Sequence, residues 1–305
     1  MPPVLLAGPT ASGKSALALA LADALGAEIV NADSQQAYAD WRVLTARPSA
    51  ADEARAPHRL YGHLALDRTT SAGDWLRAVA RILAEGRPAV IVGGTGLYFT
   101  ALTEGLAPVP AVPPETRAAA EADLARLGLA GLADRLARED PATARAIDRL
   151  NPARVLRAWE VWRATGRGLA SWQAETPPAL VDPARAACLV VETPTAALDA
   201  AIARRFDAML AEGALDEARA VARRFPDPAA RDALPGMRAL GARELCAHVE
   251  GRLSLEAARD AAVLATRRYA KRQRTWMRNR LRSWRRIAPG DLAAALAAHA
   301  APGRD

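Results

Sequence analysis

Apolar and polar positions over the first hundred residues switch between two periods. The run Val4-Leu5-Leu6-Ala7 is short and unbroken, as in a strand buried on both faces, and residues 16–25 after it are alanine- and leucine-rich helix formers. The alternation repeats. Residues 28–32 read as a second strand, 73–85 as a helix, and 89–92, after the Gly86-Arg87-Pro88 turn, as another buried strand. Short β runs separated by helices predict an α/β core, a parallel sheet flanked by helices. Pro108, Pro110, Pro113 and Pro114 interrupt this pattern. Only helical spacing follows, over 115–138 and then from Asn151, a good N-cap preceding Pro152, to about Gly166. After Pro177, Pro178 and Pro183 a strand resumes at 186–192, and alanine- and arginine-rich helices run to about 286. The expected organisation is a core of 1–108 and 186–290, a helical insertion over 109–185, and a tail over 291–305 that is a peripheral helix or disordered.

The turn between the first strand and the first helix carries the strongest chemical signal. It reads Gly8-Pro9-Thr10-Ala11-Ser12-Gly13-Lys14-Ser15, a phosphate-cradling loop of the P-loop NTPase type. Its glycines let backbone N–H groups turn inward on a polyphosphate, and the helix N-terminus adds a positive dipole end. In this motif Lys14 reaches the outer phosphates and the Ser15 hydroxyl ligates Mg²⁺. Composition sharpens the reading: of 41 Lys+Arg residues only Lys14 and Lys271 are lysines. A compact ammonium and a planar guanidinium are not interchangeable at a tight phosphate site, so both positions are candidates for places where arginine fails.

Charge is unevenly placed. Between residues 262 and 286 there are ten basic residues and no acidic one, whereas the whole chain carries only +7, so the remainder is net negative. Tyr269, Trp276 and Trp284 are interleaved with these cations, and Ala270, Met277, Leu281 and Trp284 fall on one helical face. Nucleic-acid contact, a solvated helix docked by its apolar stripe, and an anionic membrane surface are the readings this pattern allows. No apolar run is long enough to span a bilayer. Cys188 and Cys246 lack disulfide or zinc spacing and fit a reducing cytosol, so a cytoplasmic location is expected.

A nucleotide hydrolase or kinase places an acid at the end of a buried strand to hold magnesium. Here the strand at 89–92 ends in Gly93-Gly94-Thr95 without a carboxylate. The acid on the same predicted rim is Asp33, followed by Ser34, Gln35 and Gln36. Asp33 suits either a helix N-cap or a general base beside a bound polyphosphate, and the two glutamine amides suit either a solvated helix start or a nucleobase edge.

Several further segments follow in order: Thr45-Ala46-Arg47-Pro48, Pro57-His58-Arg59-Leu60, Gly93-Gly94-Thr95-Gly96-Leu97-Tyr98-Phe99, residues 151–166, Leu240-Gly241-Ala242-Arg243-Glu244, and 266–278 with Ala270-Lys271-Arg272-Gln273. Together with the phosphate loop and the Asp33 segment, this set resembles the bacterial tRNA dimethylallyltransferases (IPP transferases) from about residue 4 to 286. The resemblance implies transfer of a dimethylallyl group from dimethylallyl diphosphate to the exocyclic N6 of the adenosine just 3′ of the anticodon. It implies Asp33 as the base, Thr95 holding the reacting groups, and residues 8–15 binding the diphosphate with Mg²⁺. Ser34, Gln35, Gln36, Arg117, Arg154, Arg157, Arg238, Arg243, Lys271 and Arg272, with Asp33 and Thr95, match positions that contact the tRNA anticodon stem-loop. A monomer with no membrane partner is expected, and family members are often labelled ATP-binding because of the loop. The chain departs from the family pattern at Leu44 and Arg47, at Ala242, and over 148–150. Other expectations compatible with the loop are an adenylate isopentenyltransferase acting on free AMP or ATP, a small-molecule kinase, and a non-catalytic RNA-binding module. The helical insertion and basic C-terminal stretch disfavour the first, the missing strand-end acid the second, and the intact Lys14, Ser15, Asp33 and Thr95 the third.

Overall fold

A computed structural model describes residues 2–301. Six strands form one parallel sheet: β1 (Val4–Ala7), β2 (Glu28–Asn31), β3 (His58–Arg59), β4 (Ala89–Gly93), β5 (Ala187–Val191) and β6 (Arg285–Ile287), in the order β3-β2-β4-β1-β5-β6. The central strand β1 pairs with β4 and β5 in a register that sets Ala7 opposite both Gly93 and Val190. All the strands therefore end on one rim, where ligands of open α/β sheets sit. The fold class is the expected one, a P-loop-like parallel sheet flanked by helices.

Both faces of the sheet are covered, which is why its central strands β1, β4 and β5 are apolar throughout. Val4, Leu6, Ile29, Val90 and Leu189 pack on Leu17 and Leu21 of the helix Lys14–Leu25. Leu5, Val30, Ile91 and Val190 pack on Trp75, Val79, Phe99 and Leu102 from the helices Ala72–Ala84 and Gly96–Glu104. Leu5, Leu6 and Ile91 are fully enclosed, and burial of each such side chain contributes roughly 1.5–3 kcal/mol. A third cluster joins Trp41 and Leu44 to Phe206, Met209 and Leu245 from the helices Thr195–Ala211 and Ala242–Val249.

Two details differ from the sequence expectation, and one alternative it left open is decided. The strands β3 and β6 were not anticipated, because two or three residues rich in arginine show no readable period. The basic stretch is not one helix to 286. The helix is Leu255–Arg280, and Arg286 folds back to donate to the Leu281 carbonyl (2.9 Å), closing the helix end with a cation. Leu281 and Trp284 are still buried, Trp284 with its ring edge-on to Phe99 (centroids 5.3 Å apart). The tail forms the helix Leu292–Ala300, whose Ala295 and Ala298 join the core beside the first helix; residues 302–305 lie outside the described part.

The chain forms two compact units, one being Glu104–Leu180 and the other the remainder. The helical unit thus begins and ends about five residues before the proline-marked bounds of 109 and 185. On the core side, Val181 N–H donates to Leu102 O (3.0 Å), so the chain re-enters beside the point where it left. Taken by itself, the helical unit packs Ala120, Leu132, Leu136, Val155 and Trp159. Its first helix, Pro114–Glu139, is broken at Gly128 (φ 67°), and Asn151 caps the helix Pro152–Thr165 as its sequence required.

Asp123 is the electrostatic centre of that unit. Burial alone would raise its carboxyl, but hydrogen bonds from Arg126 (2.7 Å), Trp159 (3.0 Å) and Arg163 (2.5 Å) hold it down at about 2. A carboxyl lowered on folding stabilises the fold above its unfolded value and loses that contribution as pH falls towards 2. Asp123→Ala should therefore destabilise the helical unit by about 2–4 kcal/mol, since three donors lose one acceptor. Chemical denaturation checks it: the deficit should be full at pH 7 and shrink in acid, whereas Asp134→Ala, at an exposed pair with Arg149, should stay within about 1 kcal/mol.

Candidate active site

The phosphate loop leaves β1 at Gly8, whose N–H donates to Gly93 O (3.2 Å), so the loop is anchored to β4 from its first residue. Ala11 (φ 63°) and Gly13 (φ 83°) take left-handed backbone, which bends the loop back onto the helix start. No side chain caps that helix at Gly13. Its first-turn amides are consequently open to an anion. The Ser12 hydroxyl is buried without a partner, and the exposed Ser15 hydroxyl makes no hydrogen bond among the described residues. Lys14 is enclosed, with Nζ donating to Pro9 O (3.2 Å). Burial lowers its ammonium to about 8, with Asp33 opposing and Arg205 reinforcing the shift.

Asp33 follows β2 on the same rim. Its Oδ1 accepts from Gln35 N–H (3.0 Å), capping the short 3₁₀ turn Ser34–Ala37, so the capping role considered from sequence is present. Its own N–H donates to Asn31 Oδ1 (2.7 Å). Thr95, past the end of β4, donates its N–H to Ala32 O (3.1 Å), and its Oγ1 accepts from Ser34 N–H (2.9 Å). The turns after β2 and β4 are thereby stitched together, and Asp33 and Thr95 are fixed relative to each other. The charge of Asp33 reaches several neighbours. The phenol of Tyr98 is pushed up to about 12 and those of Tyr61 and Tyr269 higher still, burial first and Asp33 second in each case.

Thr10, Ala11, Asp33, Gln35 and Tyr269 line one cavity together with the apolar Leu44, Ile202, Phe206, Met209 and Leu240. Arg205, on the helix Thr195–Ala211, also faces it. Burial lowers the Arg205 guanidinium, Asp33 partly restoring it, and no carboxylate among the described residues pairs with it. A desolvated cation without a counterion beside a phosphate loop is suited to a diphosphate. Sequence reasoning missed Arg205, since one arginine among many in a helix carries no distinguishing mark.

The remaining candidates divide. Gln36 Nε2 donates to Thr45 O (2.9 Å) and Ala46 O (2.8 Å), so its amide donor holds a turn, and Gln35 Oε1 accepts from Leu240 N–H (3.3 Å). Arg47 points its guanidinium at Gly62, where any Cβ would collide with it, and donates to Ala39 O (3.2 Å). Leu44 and its two predecessors donate their N–H groups to the Glu217 carboxylate (2.7–3.0 Å), an anchor that suits the departure at this turn. Arg238 and Arg243 are exposed, Arg243 donating to Asp232 O (2.6 Å). Lys271 lines a cleft of ≈ 850 Å³ with Arg267, Arg268, Arg274 and Arg278, and none of these five has a carboxylate partner among the described residues. Arg272 lies over the Tyr269 ring (5.5 Å). Arg117, Arg154 and Arg157 belong to the helical unit, where Arg157 (3.2 Å) and Arg117 (3.7 Å) pair with Glu160. No cluster of His, Cys, Asp or Glu able to hold a metal is found among the described residues, and no helix there is long and apolar enough to cross a membrane.

Several known proteins are similar to this chain. A tRNA dimethylallyltransferase of Cereibacter sphaeroides is 59% identical over 285 residues, covering 93% of this chain and 88% of the relative. One from Dinoroseobacter shibae is 57% identical over 292 residues, covering 94% and 95%. The crystal structure of the tRNA isopentenylpyrophosphate transferase from Bacillus halodurans superposes with a TM-score of 0.67 at 29% identity, covering 98% of this chain and 94% of that one. The sequence profile described as IPP transferase matches residues 36–280, and the chain belongs to that family.

Proposed function

We propose that this chain transfers a dimethylallyl group from dimethylallyl diphosphate to the exocyclic N6 of the adenosine immediately 3′ of the anticodon in tRNA, releasing diphosphate. The observation that carries the reading is the convergence of one carboxylate, Asp33, with two cations, the buried Lys14 and the half-buried Arg205, in front of an open phosphate loop. An aromatic amine is a poor nucleophile, so the Asp33 carboxylate takes its proton as the C–N bond forms. The C1–O bond breaks at the same centre, and its electron pair leaves with the diphosphate. Lys14, Arg205 and the loop amides stabilise the charge that develops there. The apolar wall of Leu44, Phe206, Met209 and Leu240 suits a five-carbon chain and keeps water from the allylic cation.

The open Ser15 hydroxyl at the start of the helix after the loop would hold Mg²⁺ together with the substrate's phosphates. Bound there, Mg²⁺ would neutralise further charge on the diphosphate. The unpaired cations of the helix Leu255–Arg280 suit the phosphates of the RNA, and the target base must leave its stack to reach Asp33. The enzyme would act as a monomer in the cytoplasm.

Four outcomes are expected. Asp33→Asn should bind an anticodon stem-loop RNA normally yet turn over at least ~100-fold more slowly; more than about a tenth of wild-type turnover at saturation would reduce Asp33 to a cap. Lys14 is charged below pH 8 and neutral above, so KM for dimethylallyl diphosphate should rise as pH climbs through about 8, with RNA affinity flat. Lys14→Arg should lose that inflection and bind the diphosphate poorly throughout, since a fork does not fit an ammonium's place. Replacing Arg272, Arg278 and Arg282 by Gln should flatten the salt dependence of RNA binding, by roughly 0.7–0.9 in the log–log slope per lost phosphate contact. An unchanged slope would move the RNA footprint to the arginines of the helical unit.

A further inference from the structure

The helix Leu255–Arg280 turns its cations outward and something different inward. On the inward side, one per turn, stand Tyr269, Gln273 and Trp276. Gln273 is buried among them. Its Oε1 accepts from Thr10 N–H of the phosphate loop (2.9 Å), and its Nε2 donates to Gly94 O of the turn after β4 (2.9 Å). The amide orientation follows from these partners, because a backbone N–H needs an acceptor and a carbonyl a donor. The fit is tight: a Cβ on Gly94 would collide with Gln273 Nε2, and one on Gly96 with the Trp276 ring. Gly94 is not in left-handed backbone, so a side chain there would act through this contact, by displacing the Gln273 amide.

We propose that Gln273 is a positioning residue for the transfer reaction, locking the phosphate loop to the turn that carries Thr95. The inference rests on the function proposed above. The leaving diphosphate is held at one end of the reaction axis by the loop. The amine is held at the other by Asp33, which Thr95 fixes through Ser34. Gln273 joins the two ends through a single planar amide and thereby sets their separation. Misplacement of reacting groups by about 1 Å can lower turnover by a hundredfold, so a rigid tie at this place governs rate rather than RNA affinity.

The test uses the full chain with stem-loop RNA and dimethylallyl diphosphate. Gln273→Leu should lower kcat by roughly 10–100-fold while leaving RNA affinity within about twofold. Gln273→Glu keeps an acceptor for Thr10 but turns an anion on Gly94 O and the diphosphate, so it should weaken diphosphate binding further than Leu. Gly94→Ala should reproduce the loss by pushing the amide aside. In a Gln273→Ala background the same change should add less than about twofold, because the collision is gone. Affinity for inorganic diphosphate, which needs neither RNA nor turnover, should fall roughly fivefold or more in Gln273→Leu as preorganisation is lost. A melting temperature near wild type in Gln273→Leu or Gly94→Ala separates positioning from unfolding. Independent, multiplying losses in the double variant, or an unchanged diphosphate affinity, would overturn the lock. Wild-type protein that binds diphosphate but transfers nothing to RNA would instead overturn the functional reading.

Discussion

Two cations and one carboxylate share one rim, and that imbalance governs the site. Burial works against the charged forms of both Lys14 and Arg205, and Asp33 returns only part of what each loses. Desolvated positive charge left over after such pairing is unfavourable until an anion arrives. The surroundings are organised to keep it so. No second acid stands at the end of β4, no carboxylate among the described residues pairs with Arg205, and the first turn of the helix after the loop lacks a side-chain cap. On the proposed function, a phosphate-bearing ligand would complete the site rather than merely enter it.

The same rim shows how a parallel sheet turns sequence distance into proximity. Thr10, Asp33 and Thr95 each stand just past a different strand, and the register of β1, β2 and β4 brings those strand ends level. Hydrogen bonds between the turns then remove the remaining freedom, from Gly8 to Gly93, from Thr95 to Ala32 and from Ser34 to Thr95. These bonds involve backbone groups at one or both ends, so side-chain changes elsewhere on the rim leave most of the scaffold in place.

The parts of the site written locally were legible in the chain. The phosphate loop, Asp33 and Thr95 each follow a short apolar strand, and strand ends in an α/β pattern announce their own place. Arg205 and Gln273 were not, because each acts across the fold; the bond from Gln273 to Thr10 spans 263 positions. One mark did exist for Gln273, which is the only glutamine among the ten cations of residues 262–286. For Arg205 nothing local distinguishes it from Arg204, its exposed neighbour on the same helix. The roles of Gln36 and Arg47 also needed coordinates, since both side chains that look free to meet a ligand are engaged by backbone carbonyls.

The two outermost strands have a consequence beyond the site. An open parallel sheet offers unpaired backbone along both margins, and such margins recruit strands from other molecules. Here β3 contributes two residues, and its Arg59 is held by Glu28 (3.0 Å) and Glu85 (2.7 Å). At the opposite margin β6 is three residues long and presents the exposed Arg285. Neither margin gives an incoming strand enough length or a neutral surface to pair along. The apolar interior of this sheet is thus closed to extension by brevity and charge at its ends, and growth into a shared intermolecular sheet stops where the sheet itself stops.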